Sequence, residues 1–392
     1  MKRVQHLIVG GGMTGAAAAR AVREVAPHSS LALIGADPHP PYNRPPLSKA
    51  LWKGDPESSI WRTDDVQGVE LLLGRRVTGI DTAARRVDDD RGESYHFDTL
   101  LLATGGAPRR LPGAPDSVIY FRTLDDYRRL RGLAAPGKRF VVLGGGFIGS
   151  EVAAALRMQG ADVTMVIPEA GVGARVFPAE LSRHLAAFYG EKGVTVRTGE
   201  GVSTVTDAGG ISRVKTTTGV ELSADGVVAG LGIVPSVELA QQAGLAIENG
   251  IVVDELLRTS NPAIFAAGDV AQFPAPALGK RIRVEHEDNA NAQGRQGGRN
   301  LAGLAEPYRH LPFFYGDLFE LGYEAVGELD SRLETFADWK TPFREGVLYY
   351  LQDARVRGVL LWNTWGQVDH ARALIAERGP FTPAALKGRL PA

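Results

Sequence analysis

Six glycines in two groups of three carry the clearest chemical spacing in this sequence. Gly10, Gly12 and Gly15 form one Gly-x-Gly-x-x-Gly turn, and Gly144, Gly146 and Gly149 form a second, 134 residues further on. Between a strand and a helix, such a turn brings bare backbone and a helix N-terminus against a pyrophosphate. Glycine is then needed for steric room rather than for reactivity. Both copies have that setting. An apolar strand (6–9) leads into the first turn, and an Ala-rich helix (16–25) and a second strand (31–34) follow; the order repeats over 140–143, 151–158 and 162–166. Two βαβ units predict two bound dinucleotides. Asp37, just past the second strand of the first unit, is placed to accept a ribose hydroxyl.

A third signal separates the two ligands. The segment from Thr259 to Asp269 reads as a strand ending in Gly268-Asp269. An aspartate there can accept a ribityl hydroxyl while the N-terminus of a following helix faces a flavin. FAD in the first unit and a nicotinamide dinucleotide in the second is the resulting assignment. In the second unit the usual acid position holds Ile167; Glu169 follows it, with no arginine before Arg175. An acid accepts from a 2′-hydroxyl and repels a 2′-phosphate, so NADH is favoured over NADPH. The chain has no cysteine. That excludes disulfides, CxxC redox pairs, thiolate metal sites and cysteine-ligated clusters, so any redox chemistry belongs to a bound cofactor.

The elements that must position these residues fit an α/β chain of two or three domains over 392 residues. With 44 Lys+Arg against 45 Asp+Glu the formal charge is −1, which disfavours nucleic acid and membrane surfaces. No window approaches about 18 apolar residues and no targeting segment is expected, so the sequence predicts no membrane span and a cytoplasmic protein. Apolar runs at 100–103 and 226–232 read as strands buried on both faces. The Pro-rich stretch from Asn43 to Lys49 breaks regular structure and presents Arg44 and Lys49 rigidly. From about residue 309 alternating and apolar strands, then a helix over 367–378, predict a separate α+β domain. Asp88, Asp89 and Asp90 read as a hairpin turn and not a metal box; no metal site is expected. The basic group Arg122, Arg128, Arg129, Arg131, Lys138 and Arg139 reads as a solvated face, and Trp362 and Trp365 as packing residues.

These motifs, in this order, resemble the two-dinucleotide-binding flavoproteins. Arg44-Pro45-Pro46-Leu47-Ser48-Lys49, the run from Gly144 to Glu151, and Arg283-Val284-Glu285-His286 resemble the NADH-dependent ferredoxin reductases of oxygenase systems and apoptosis-inducing-factor-like proteins. The tail, with 322–327, 349–353 and 358–363, resembles the C-terminal domain of the latter. The resemblance implies a glutathione-reductase-like fold: an FAD domain (1–112 and 240–308), an NAD(H) domain (113–239) and a C-terminal dimerisation or interface domain (309–392). It places Gly10, Gly12, Met13, Thr14, Gly15, Asp37, Arg44, Lys49, Val77, Thr104, Gly105, Arg122, Asp269, Glu285, His286 and Tyr315 around FAD. Gly144, Gly146, Phe147, Ile148, Gly149, Glu151, Glu169 and Gly232 fall around the nicotinamide dinucleotide. Lys49, Pro45, Glu151 and His286 carry the catalytic roles, with Lys49 pairing Glu151. Family members usually have Trp where this chain has Tyr315, and Glu where it has Ala36.

The implied activity is hydride transfer from NADH to FAD, with electrons passed to an external acceptor, a small [2Fe-2S] ferredoxin. The alternatives are a redox sensor that holds reduced FAD and NAD in a long-lived complex and dimerises with NADH, or an NADH:quinone reductase. A homodimer is compatible with either.

Overall fold

The computed structural model describes residues 2–391. The chain packs into two compact units, one from Met1–Asn43, Glu57–Ala107 and Val234–Pro312, the other from Arg44–Pro56, Pro108–Ile233 and Phe313–Ala392.

The first unit is organised on a seven-stranded sheet. Its parallel centre sets Lys2–Val9 between Leu31–Gly35 and Ser94–Leu102, with Ile264–Ala266 beside the end of the last strand. Leu7, Ile8, Leu33, Leu100, Leu101 and Leu102 are each 0 % exposed, as strands covered on both faces require. The Met13–Val25 helix packs Thr14, Ala17 and Ala18 against the Glu287–Leu301 helix. That contact is backbone-close: a Cβ on Gly298 would overlap Ala18 O, and one on Gly294 would reach Thr14 O at 2.5 Å. The aspartate triplet closes the expected hairpin, with Asp89 Oδ1 accepting from the amides of Arg91 and Glu93.

The second unit contains a five-stranded parallel sheet in the order Val194–Thr198, Asp162–Ile167, Arg139–Leu143, Gly226–Ala229, Ile119–Tyr120. A three-stranded antiparallel sheet adjoins it in sequence. A second five-stranded sheet, from Phe313–Leu318 to Arg355–Trp362, is antiparallel and is covered by the Val368–Ala376 helix. Trp362 is fully buried there, stacked on Tyr323 at 5.8 Å, but Trp365 is 56 % exposed and is not a core residue.

Two further expectations change. The Pro-rich stretch is not wholly irregular: Pro45–Ser48 winds into a short 3-10 turn, because proline fixes φ at a value such a turn accepts, and the 3-10 turns Ala50–Lys53 and Glu57–Ile60 follow it. The element after Gly268-Asp269 is a 3-10 turn (Gly268–Val270) and a strand (Ala271–Ala275), not a helix; the Glu287–Leu301 helix comes only after a further hairpin. Among the described residues no helix is long and apolar enough to cross a membrane.

Candidate functional site

Both glycine turns obey one steric rule. A Cβ on Gly10, at φ +126°, would overlap Ala103 O, and one on Gly15 would overlap Gly10 O; in the second turn Gly144 would lie 2.7 Å from Gly230 O, and Gly149 would overlap Gly144 O. The first and third glycines are therefore demanded by the protein's own backbone. The middle ones are not: nothing lies within 4 Å of a Cβ on Gly12 or Gly146. Each is the N-cap of its helix without a side-chain cap, so helix amides face open space. Bare amides and room beside them are what a pyrophosphate needs.

In the first unit Asp37 Oδ1 accepts from the His39 amide and Oδ2 from Tyr42 Oη, both at 3.0 Å, which fixes the carboxylate beyond the strand end. Thr104 Oγ1 donates to Ser236 O at 2.8 Å, and Gly105 O accepts from Ser236 N. Met13 opens the helix, Thr14 lies buried against Gly268, and Val77 is a core residue. Asp269 is 9 % exposed; its carbonyl accepts from Arg283 Nη1, and Arg283 also pairs with Glu285 at 2.7 Å. His286, the N-cap of the long helix, has its pKa pushed down to about 4 by burial, against the pull of Asp269 and Asp288, so it is neutral at physiological pH.

Gln293 went unnoticed in the sequence. It is fully buried, its Oε1 accepts from Gly268 N at 2.8 Å, and its Nε2 has no partner. The bond to Gly268 fixes which way the amide points, so a buried donor is left over beside Thr14 and Gly268. With the open Gly12 amides, that orphan donor fits a polyhydroxylated, phosphorylated ligand such as FAD. The sequence signal was a polar side chain on a helix face otherwise lined by Gly294, Gly297 and Gly298.

In the second unit Glu151, 4 % exposed, sits one turn into the Phe147–Met158 helix. Its Oε2 accepts from Ser48 Oγ at 2.6 Å and from Lys49 Nζ at 2.8 Å. Burial pushes its pKa up, while Lys49 and Ser48 pull it back down. Lys49 Nζ also lies 5.2 Å from the ring centre of Tyr315. Arg44, next to Pro45, donates to Arg122 O at 3.2 Å, so the turn that carries Lys49 is tied at its start as well. Phe147 meets Phe314 at 5.1 Å, whereas Ile148 is exposed. Gly232, at φ +82°, accepts from Arg109 N. Glu169 is held at 2.7 Å by Arg175, the first arginine after it, across the five residues between them. The basic group is largely engaged within its own unit: Arg128 with Asp125, Arg139 and Lys138 with Asp225, Arg129 with the carbonyls of Asp116 and Ser117.

The predicted residues thus divide between the units. Asp37, Val77, Thr104, Gly105, Asp269, Glu285 and His286 fall in the first, with its glycine turn; Arg44, Pro45, Lys49, Arg122, Glu151, Glu169 and Tyr315 fall in the second, with the other.

Two family models match the chain: Pyridine nucleotide-disulphide oxidoreductase over residues 4–294, and Apoptosis-inducing factor, mitochondrion-associated, C-term over residues 297–342 and 338–377. The chain belongs to the pyridine nucleotide-disulphide oxidoreductase family and is an FAD-dependent NAD(P)H oxidoreductase with the two-dinucleotide-binding flavoprotein fold. Within that family it falls in the branch that holds NADH-dependent ferredoxin reductases and apoptosis-inducing-factor-like proteins. It is 37 % identical to the anthranilate 1,2-dioxygenase system ferredoxin--NAD(+) reductase component of Burkholderia cepacia, over 94 % of this chain and 93 % of the relative. It is 32 % identical to mitochondrial apoptosis-inducing factor 1 of Dictyostelium discoideum, over 96 % and 79 %. Among solved structures, a chain of the covalent putidaredoxin reductase–putidaredoxin complex superposes with a TM-score of 0.91 at 32 % identity, covering 98 % of this chain and 96 % of that one.

Proposed function

We propose that this protein takes electrons from NADH and delivers them singly to a small [2Fe-2S] ferredoxin in the cytoplasm. The observation that carries the reading is the absence of cysteine in a chain of this family. Members that reduce disulfides need a dithiol of their own; here electrons must leave for another molecule. Bound FAD supplies the chemistry of accepting a hydride and releasing single electrons.

The chain's own residues bind and orient. The Gly12 and Gly146 amides hold the two pyrophosphates, Asp37 takes the FAD ribose, and Gln293 Nε2 donates into the FAD cradle beside Asp269. Lys49, anchored on Glu151 and Ser48, holds a fixed positive charge at the nicotinamide end of the second unit, with Pro45 limiting its travel. Phe147 screens that end from water. His286, neutral, offers a donor or acceptor without adding charge. Residues 1–112 with 240–308, 113–239 and 309–392 serve as FAD, NAD(H) and interface regions.

Stopped-flow reduction by NADH, followed by mixing with a [2Fe-2S] ferredoxin, cytochrome c or a quinone, tests the proposal. Ferredoxin reduction at tens of turnovers per second is expected. Turnover with none of these acceptors, together with NADH-dependent dimerisation by light scattering, replaces it with the redox-sensor reading, which the match to the apoptosis-inducing-factor C-terminal model favours.

A further inference from the structure

At the end of the second strand of the second βαβ unit the side chains differ from a simple ribose-reading acid. Ile167 presses on the middle of the glycine turn: a Cβ on Gly145 would lie 2.7 Å from Ile167 Cδ1. Glu169 is the first anionic residue beyond the strand, and Arg175 Nε donates to its Oε1 at 2.7 Å. The backbone of 168–177 is pinned at four places. Gly173 N donates to Gly145 O, Gly199 N to Glu169 O, Ser331 N to Arg175 O, and Tyr350 Oη to Val176 O. On that fixed backbone the Arg175 side chain is 83 % exposed and that of Glu169 26 %. The bond to Glu169 is made by Nε, which leaves both Nη groups of the planar fork for a second oxyanion.

We infer that Glu169 and Arg175 together read the coenzyme ribose and admit a 2′-phosphate as well as a 2′-hydroxyl, so that NADPH is a substrate beside NADH. The inference rests on the second glycine turn being the nicotinamide-dinucleotide site. A lone carboxylate here repels a 2′-phosphate. One already neutralised by a guanidinium does not, and the guanidinium bridges the two anions, Nε to Glu169 and Nη to the phosphate. Toward NADH the same cation acts in the opposite sense, because it competes with the ribose hydroxyls for the carboxylate. Arg175 therefore moves the two coenzymes in opposite directions, which a purely structural role would not do.

The test compares wild type, Arg175→Ala and Glu169→Ala as holoenzymes. Stopped-flow FAD reduction gives kcat/KM for each coenzyme, and calorimetric titration with 2′,5′-ADP reads the phosphate subsite without turnover. Wild type is expected to use NADPH within about a hundredfold of NADH. Arg175→Ala lowers kcat/KM for NADPH about tenfold, raises it for NADH and weakens 2′,5′-ADP; Glu169→Ala shifts preference toward NADPH. An NADPH:NADH ratio unchanged by Arg175→Ala, or 2′,5′-ADP bound equally by wild type and that variant, overturns the inference. Reduction of the yellow holoenzyme by neither coenzyme overturns the reading of the second turn itself, and the inference with it.

Discussion

The two βαβ units use the same glycine geometry and then cover their helices in different ways. In the first, the Met13–Val25 helix presents alanines to a helix whose Gly294 and Gly298 let the backbones touch. Among the described residues of that unit, the buried side-chain polar atom left without a partner belongs to the uncharged Gln293. In the second, the equivalent helix buries a carboxylate, Glu151, against Ser48 and Lys49 from a segment over a hundred residues away in sequence. The same turn can therefore open either a neutral, tightly packed helix or one that carries charge into the protein. The first arrangement suits a ligand that is held, the second a ligand that comes and goes beside a fixed ion pair.

The largest effect that separates the units is expected from the glycines themselves. Gly10→Ala sets a Cβ into Ala103 O at a positive φ and should destabilise the first unit by about 3 kcal/mol or more, with loss of bound FAD. Gly12→Ala meets nothing, so it should leave apo stability within about 0.5 kcal/mol and weaken only FAD binding. Thermal melts with and without added FAD read both. Equal melting temperatures for the two variants would refute the steric account of the turn.

A second contrast lies in the buried charge. Lys49→Ala leaves Glu151 desolvated without its cation, at a cost of about 3–5 kcal/mol, whereas Lys49→Ala with Glu151→Gln should recover most of that. Urea unfolding of the single and double variants makes this a direct cycle. A double variant as unstable as the single would mean that Lys49 acts through Tyr315 packing and not through Glu151.

The smallest and most diagnostic difference is in pH dependence. Burial lowers His6 and His286 in the first unit, so between about pH 4 and 6.5 the unfolded chain binds more protons than the native one, and stability rises with pH. Burial raises Glu151 and Glu324 in the second unit; above their ordinary value of 4.5 the native state binds more protons, and stability falls as pH rises. Just above pH 4.5 the two units should shift in opposite directions, by no more than about 1.4 kcal/mol per pH unit per group. Thermolysin cleavage resolved by peptide would show this. Parallel slopes in both units would contradict the assigned causes.

Much of this was legible in the sequence, because the strands and turns that make a phosphate cradle are local patterns of ten or fifteen residues. Gly10, Gly12, Gly15 and their second copy could be placed without any long-range knowledge. What escaped depends on distance or exposure. The Glu334–Thr341 edge strand is mostly polar, since only part of it is covered, and gave no apolar run. Gln293 is one polar residue among several on its helix, and only the bond from Gly268 N, 25 residues away in sequence, sets it apart. Arg175 follows Glu169 after five intervening residues, and only the pinned turn between them makes the two neighbours in space.

The Arg44–Pro56 excursion also governs how the molecule can be made. Ser48 and Lys49 are synthesised about a hundred residues before Glu151, the carboxylate that seats them, and the first unit is not complete until Pro312 has emerged. A nascent chain of 1–233 holds both glycine turns and neither finished unit. The first unit is closed only by residues up to Pro312 and the second only by residues beyond it, so dissection into independently folding halves would have to cut and rejoin the chain rather than truncate it.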